Sequence, residues 1–290
     1  MRIGVVFPQT EIGANPAVIR GYAQKVEQFG FNHLLAYDHV VGADPAVHKG
    51  WSGPYDVRTT FHEPFVLFGY LAALTSLELV TGIIILPQRQ TVLVAKQAAE
   101  VDLLTGGRFR LGVGLGWNAV EYEALGRDFH DRGRRIEEQV EVMRRLWTEP
   151  SVTHEGTSER VTGAGLAPLP VQRPIPVWFG GQSKRAYERI GRLADGWFPQ
   201  VAPGSELDEA RAIVNAAATD AGRDPAALGM EGRVSFGEGG VERVVHQIGK
   251  WSDAGATHVA INTMNAGFDS PDDHLTALAS ASNALSLPHG

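Results

Sequence analysis

The feature that most constrains this chain is an alternation of short apolar runs with segments whose apolar residues recur at helical spacing, repeated eight times. Runs over 3–7, 33–37, 79–86, 109–113, 176–179, 196–198, 229–236 and 258–261 read as strands. Between them, Val18, Tyr22, Val26 and Phe29 mark one helix face stopped by Gly30, and Val94, Ala98 and Val101 mark another closed by Gly106 and Gly107. Ile136, Val140, Met143 and Trp147 define a helix starting near Arg134. Further helices are expected over 63–76, 183–193, 207–221 and 241–254, with a last helix and a loose tail in 270–290, while 151–165 reads as a hairpin. Eight strand–helix units in succession point to α/β class and a closed (β/α)8 TIM barrel with rim insertions, in preference to an open sheet. No linker composition interrupts it, so 1–290 is expected to be one domain.

Composition narrows the chemistry. With 43% hydrophobic and 20% charged residues the chain can bury a core, which argues against disorder. It has no cysteine, which excludes disulfides, thiolate zinc sites, iron–sulfur clusters and cysteine nucleophiles. Of the 10 histidines only His39, His48 and His62 share a region, so no metal site is expected. The net charge of −7 with scattered basic residues argues against nucleic acid, and any anionic ligand needs a local patch of backbone N–H groups with a few Arg or Lys. No segment approaches the roughly 20 apolar residues of a membrane span, and 3–7 is too short for a signal-peptide core. The chain therefore reads as a soluble cytoplasmic protein.

The segments that follow strand C-termini carry barrel active sites, and those after the second and fourth strands are the longest. Asp38 and His39 end the second strand. Histidine suits proton or hydrogen-bond exchange near neutrality and a carboxylate beside it can orient it, but neighbours in a strand point to opposite faces, and a solvated strand end is an equal alternative. Gly180, Gly181, Gln182 and Ser183 join the fifth strand to its helix, where free N–H groups suit a phosphate and Ser183 suits an N-cap; both readings can hold. Gly82 within a β-branched run suggests either a bulge against a planar group or relief of crowding in the barrel. Trp117 and Glu121 face the same rim, as a pocket wall or a core cap. The glycines 112, 114 and 116 have G-x-G-x-G spacing and lack the dinucleotide fingerprint. No phosphate loop, nucleophile elbow or zinc-helix motif is present.

Taken in order, Tyr37-Asp38-His39-Val40, 81–87 (TGIIILP), Ala95-Lys96-Gln97, 104–108 (LTGGR), 112–117 (GVGLGW) and 178–181 (WFGG) through Asp195-Gly196-Trp197 resemble the bacterial luciferase-like flavin and deazaflavin superfamily, and most the branch that depends on coenzyme F420, a deazaflavin. The resemblance runs to about Pro199. It implies a (β/α)8 barrel with the cofactor across the C-terminal rim, a cis peptide between Gly82 and Ile83 backing the ring, and Gly114 and Gly116 on the same side. It further implies Asp38 and His39 at the reactive edge, and Gly180, Gly181, Gln182 and Ser183 around the phosphate. One departure stands out. F420-dependent sugar-phosphate and alcohol dehydrogenases of this family carry a glutamate after the glycine matching Gly116, and here that place is Trp117.

The expected activity is an F420-dependent oxidoreductase moving a hydride between the deazaflavin and an organic substrate. His39 is the expected proton-exchanging group, Asp38 its electrostatic neighbour, and Trp117 with Glu121 the substrate contacts. An FMN-dependent monooxygenase using FMNH2 and O2 is the alternative, and a flavin-binding protein without catalysis the second. A homodimer with a small-molecule substrate is expected.

Overall fold

The computed structural model describes residues 1–288. Strand β1 (Arg2–Val6) leads to helix α1 (Pro16–Gln28), whose start is fixed by Asn15 accepting the Ala17 N–H and by Pro16 in the first turn. Its buried face is Ile19, Tyr22, Ala23 and Val26. Tyr22 and Val26 of the expected face are buried, whereas Val18 and Phe29 are only half-buried and Ile19 and Ala23 take the core positions. β2 (His33–Ala36), α2 (Pro64–Leu71), β3 (Glu78–Thr81), β4 (Ile84–Ile85), α3 (Thr91–Thr105) and β5 (Phe109–Gly114) continue the alternation. After α4 (Ala119–Ala124) and α5 (Arg132–Thr148), the expected hairpin forms from β6 (Val152–Glu155) and β7 (Arg160–Ala164), paired antiparallel outside the barrel. The chain closes with β8 (Val177–Gly181), α6 (Lys184–Leu193), β9 (Gly196–Pro199), α7 (Ser205–Asp220), β10 (Gly229–Ser235), α8 (Gly240–Asp253), β11 (His258–Asn262) and α9 (Pro271–Ala284).

The barrel strands run β3-β2-β1-β11-β10-β9-β8-β5-β4, all parallel, and β3 also pairs with β5, which closes the ring. The chain is thus the expected (β/α)8 TIM barrel, with β3 and β4 sharing one of its eight positions. The single strand expected over 79–86 is broken. Leu79 and Val80 pair with Phe109 and Arg110, Ile84 and Ile85 with Val113 and Gly114, and between them the Thr81 hydroxyl both accepts from the Gly112 N–H and donates to its carbonyl at 2.8 Å. That hydroxyl satisfies the groups the ladder leaves open, and the Gly82–Ile83 peptide in the gap is cis.

The helices pack an apolar layer against the outside of the strands. Trp147 of α5 is fully buried there, its indole N–H donating to the Ala95 carbonyl of α3 at 2.9 Å. Inside the barrel two layers stack. The lower is polar: Glu231 accepts from Arg110 at 2.8 Å and lies 2.8 Å from the His33 ring, with His258 and Trp178 packed beside them. Gly196 and Gly229 make room for Trp178, since a Cβ on either would come within 2.4 Å of its ring. The upper layer is apolar, built from Val6, Leu35, Val80, Phe198 and Ala260, and it floors the mouth of the barrel.

Candidate functional site

A cavity of about 560 Å3 opens at the C-terminal mouth of the barrel, where strand ends and following loops converge. Tyr37, Asp38 and His39 leave β2 into the loop over 37–63, and Trp117 leaves β5 into the loop over 115–131 that contains α4. These residues, with Gly82, Ile83, Gly114, Gly116 and 180–183, all border the one cavity, although the Asp38 side chain itself is buried. The structure therefore brings together every expected site residue except Glu121.

Glu121 is the first correction. Asn118 caps α4 by accepting from Val120 and Glu121, which turns the Glu121 side chain inward instead of toward the cavity. It lies behind His39, its side chain 1% exposed, with Oε2 3.5 Å from the His39 Nδ1 and Oε1 accepting from the Val40 N–H and, at 3.3 Å, the Val41 N–H. Burial raises the Glu121 carboxyl, but hydrogen bonds from His39 and the Val40 and Val41 N–H groups outweigh it and hold the group below its ordinary value of 4.5. Glu121 is an ionised carboxylate at neutral pH, buried beyond the reach of a substrate.

Asp38 is the second. Expected as the electrostatic neighbour of His39, it points to the other face of the chain, as strand alternation demands. One oxygen takes the Arg89 guanidinium at 2.7 Å and the other the Ile85 N–H at 3.0 Å, and Arg89 in turn holds Glu63 at 3.0 Å. Burial pushes the Asp38 carboxyl up against the pull of Arg89 and Ile85. Asp38 fastens the backbone just after the cis peptide to the end of β2; the carboxylate that addresses His39 is Glu121.

His39 stands in an aromatic enclosure. The rings of Phe61, Tyr55 and Trp117 centre 4.8, 5.0 and 5.7 Å from its own, and Trp51 packs on Trp117 at 5.7 Å. With Nδ1 facing Glu121, Nε2 is the nitrogen left to the cavity.

Across the mouth, β8 delivers Gly180 and Gly181 to the start of α6, where Ser183 accepts the Ala186 N–H and leaves other first-turn N–H groups open. Arg132 and Arg189 line this end. Arg189 is held by Glu137 at 2.9 Å, whereas Arg132 lies over the Phe129 ring at 3.6 Å and has no carboxylate partner among the described residues. Helix start and guanidinium together make an anion cradle. Glycines flank Ile83: a Cβ on Gly114 would lie 2.5 Å from its side chain and one on Gly180 3.4 Å. An apolar floor, glycine-bracketed walls and an anion cradle at one end fit a planar ring carrying an anionic tail. Sequence reasoning missed Arg132, Arg189, Tyr55 and Arg233; the only signal for Arg233 is a charge at an inward position of a barrel strand.

Among the described residues no group of three His, Cys, Asp or Glu side chains is arranged to hold a metal ion, and no helix is long and apolar enough to cross a membrane.

The family model described as luciferase-like monooxygenase matches residues 1–258. An uncharacterized protein of Mycobacterium tuberculosis is 28% identical over 286 residues, covering 96% of this chain and 98% of that protein. The FMNH2-dependent dimethylsulfone monooxygenase of Pseudomonas putida is 32% identical over 183 residues, 62% of this chain and 47% of that protein. The coenzyme F420 dependent tetrahydromethanopterin reductase of Methanopyrus kandleri superposes with a TM-score of 0.78 at 16% identity over 99% of both chains, a likeness of fold.

Proposed function

Since the chain belongs to the luciferase-like monooxygenase family, we propose that it is an oxidoreductase that takes coenzyme F420 and moves a hydride between this deazaflavin and an organic substrate. The observation that carries the reading is the His39–Glu121 pair at one side of a cavity whose other side is an anion cradle. The end-to-end likeness to an F420-dependent reductase supports it.

When bound, the deazaflavin supplies two electrons as a hydride and reacts poorly with oxygen. Gly180 to Ser183 and Arg132 hold its anionic tail, and Ile83, Gly114 and the floor of Val6, Leu35 and Phe198 support its ring. Glu121 keeps the His39 proton on Nδ1, so Nε2 accepts a proton from the substrate in one direction and, once the ring is doubly protonated, returns it in the other. Tyr55, Phe61 and Trp117 surround the imidazole with aromatic rings and leave Nε2 to the cavity. Glu121 is the positioning carboxylate behind His39, and position 117 holds a tryptophan against the same ring.

The similarity to an FMNH2-dependent monooxygenase favours a second reading, in which the same cradle serves FMN. Oxygen uptake separates the two. The proposal predicts that the protein oxidises reduced F420 with a panel of enones, ketones and quinones and leaves the oxygen consumption of free FMNH2 unchanged. Protein-dependent oxygen uptake with FMNH2, and no oxidation of reduced F420, overturns it.

A further inference from the structure

We infer that Arg233 reads a carboxylate on the substrate of this cavity, so that the substrate is an organic acid with an apolar or aromatic body. The inference rests on the cavity being the substrate site of the proposed oxidoreductase.

Alternation along β10 turns residues 231 and 233 into the barrel, and both line the cavity. The carboxylate one pleat below Arg233 does not neutralise it, because Glu231 is taken by His33 and Arg110. Arg233 instead reaches over β11 and β1, donating from Nη1 to the Tyr37 hydroxyl at 3.2 Å, with its guanidinium 5.9 Å from the Tyr37 ring centre. No carboxylate of the described residues lies within 4.0 Å of it. By contrast Arg189, which also lines the cavity, holds Glu137 at 2.9 Å.

A guanidinium has five N–H donors in a planar fork, and among the described residues that of Arg233 uses one of them, toward Tyr37. The fork matches a carboxylate through two parallel hydrogen bonds. The β1 and β11 strands beneath this contact lie across the ring from β5 and β8, which carry the anion cradle, so the two uncompensated guanidiniums, Arg132 and Arg233, serve different parts of what binds. Tyr37, which accepts from Arg233, and Tyr55, whose ring centres 5.0 Å from that of His39, both line the cavity, and their rings offer an apolar surface to a ligand body. A molecule that places its reacting carbon at His39 while its acid end meets Arg233 uses both features.

The test compares probes of one shape and two charges. Titration calorimetry of the wild-type protein with benzoate and 3-phenylpropionate is set against benzyl alcohol and 3-phenylpropanol, and repeated with Arg233→Met and Arg233→Lys. The expected result is a loss of at least tenfold in acid affinity in Arg233→Met, partial recovery in Arg233→Lys, and less than twofold change for the alcohols. F420 affinity should stay within twofold in all three proteins. Equal acid affinities in wild type and Arg233→Met, or no acid binding by the wild type, overturn the inference; so does a tenfold loss of F420 affinity in Arg233→Met, which would assign the guanidinium to the cofactor. Failure of the wild type to bind F420 at all overturns the proposed function and leaves the acid comparison standing as its own result.

Discussion

Glu121 lies 3.5 Å from Nδ1 of His39 and also accepts hydrogen bonds from the N–H groups of Val40 and Val41, so the acid that orients the ring also pins the chain that carries it. Two functions meet in one carboxylate, and two substitutions separate them. His39→Gln removes the proton-exchanging nitrogen and is expected to lower turnover by about 100-fold or more while F420 still binds. Glu121→Gln keeps an acceptor for Val40 and Val41 but loses the charge, so it should lower kcat more than it changes KM and shift the pH profile of kcat. Unchanged turnover in His39→Gln with normal cofactor binding would remove that residue from the chemistry.

Asp38 should behave as a stability residue. Its removal leaves the Ile85 N–H without an acceptor and leaves the Arg89 guanidinium to Glu63 alone, and losing one partner of a buried ion pair costs about 3 kcal/mol. Asp38→Ala should show this as a lowered denaturation midpoint in urea. A midpoint equal to wild type would mean that the bonds from Asp38 do not fasten β4.

The fold was legible because hydrophobic period survives any detail of packing: Ile136, Val140, Met143 and Trp147 bury as their spacing requires, and in α1 Tyr22 and Val26 do so although the ends of that face fall on Ile19 and Ala23 in place of Val18 and Phe29. The break after Thr81 was legible only in part: Gly82 and the family resemblance point to an irregularity there, but that the Thr81 hydroxyl replaces the ladder at Gly112 is a matter of side-chain geometry. The site divides in the same way. Gly180 to Ser183 and His39 follow from strand ends, which sequence locates. The partner of His39 depends on the path of a loop, and one turn of helix capped by Asn118 reverses the role that position 121 suggests. Arg132 was hidden among the arginines at 132, 134, 135, 144 and 145, only one of which faces the mouth.

The polar layer within the barrel predicts acid sensitivity. Burial, with the Arg110 charge, holds the His258 imidazole at about 3 against an ordinary 6.5, so the unfolded chain takes up a proton there that the folded one refuses. Stability from this group is complete above 6.5 and is lost as pH falls from 6.5 toward 3. Glu231 acts in the same direction lower down: burial raises it, but His33 and Arg110 bring it to about 2, so its contribution is complete above 4.5 and is lost as pH falls toward 2. His258→Asn should flatten the decline in urea midpoint between pH 6.5 and 4. An unchanged slope would contradict a neutral His258 in the folded barrel.

Arg132 has no carboxylate partner among the described residues and lines the cavity together with Gln182 and Ser183. Arg132→Ala is expected to weaken F420 binding about tenfold at low ionic strength, and the difference should narrow in high salt as exposed charges are screened. Equal affinity for the two proteins at low salt would place the anionic tail elsewhere.

The most direct test of the proposed F420 dependence is equilibrium binding of purified F420 and FMN to the same cofactor-free protein, followed by absorbance and fluorescence. The account predicts that F420 binds the more tightly, and that Arg132→Ala weakens that binding. Tighter binding of FMN would contradict it.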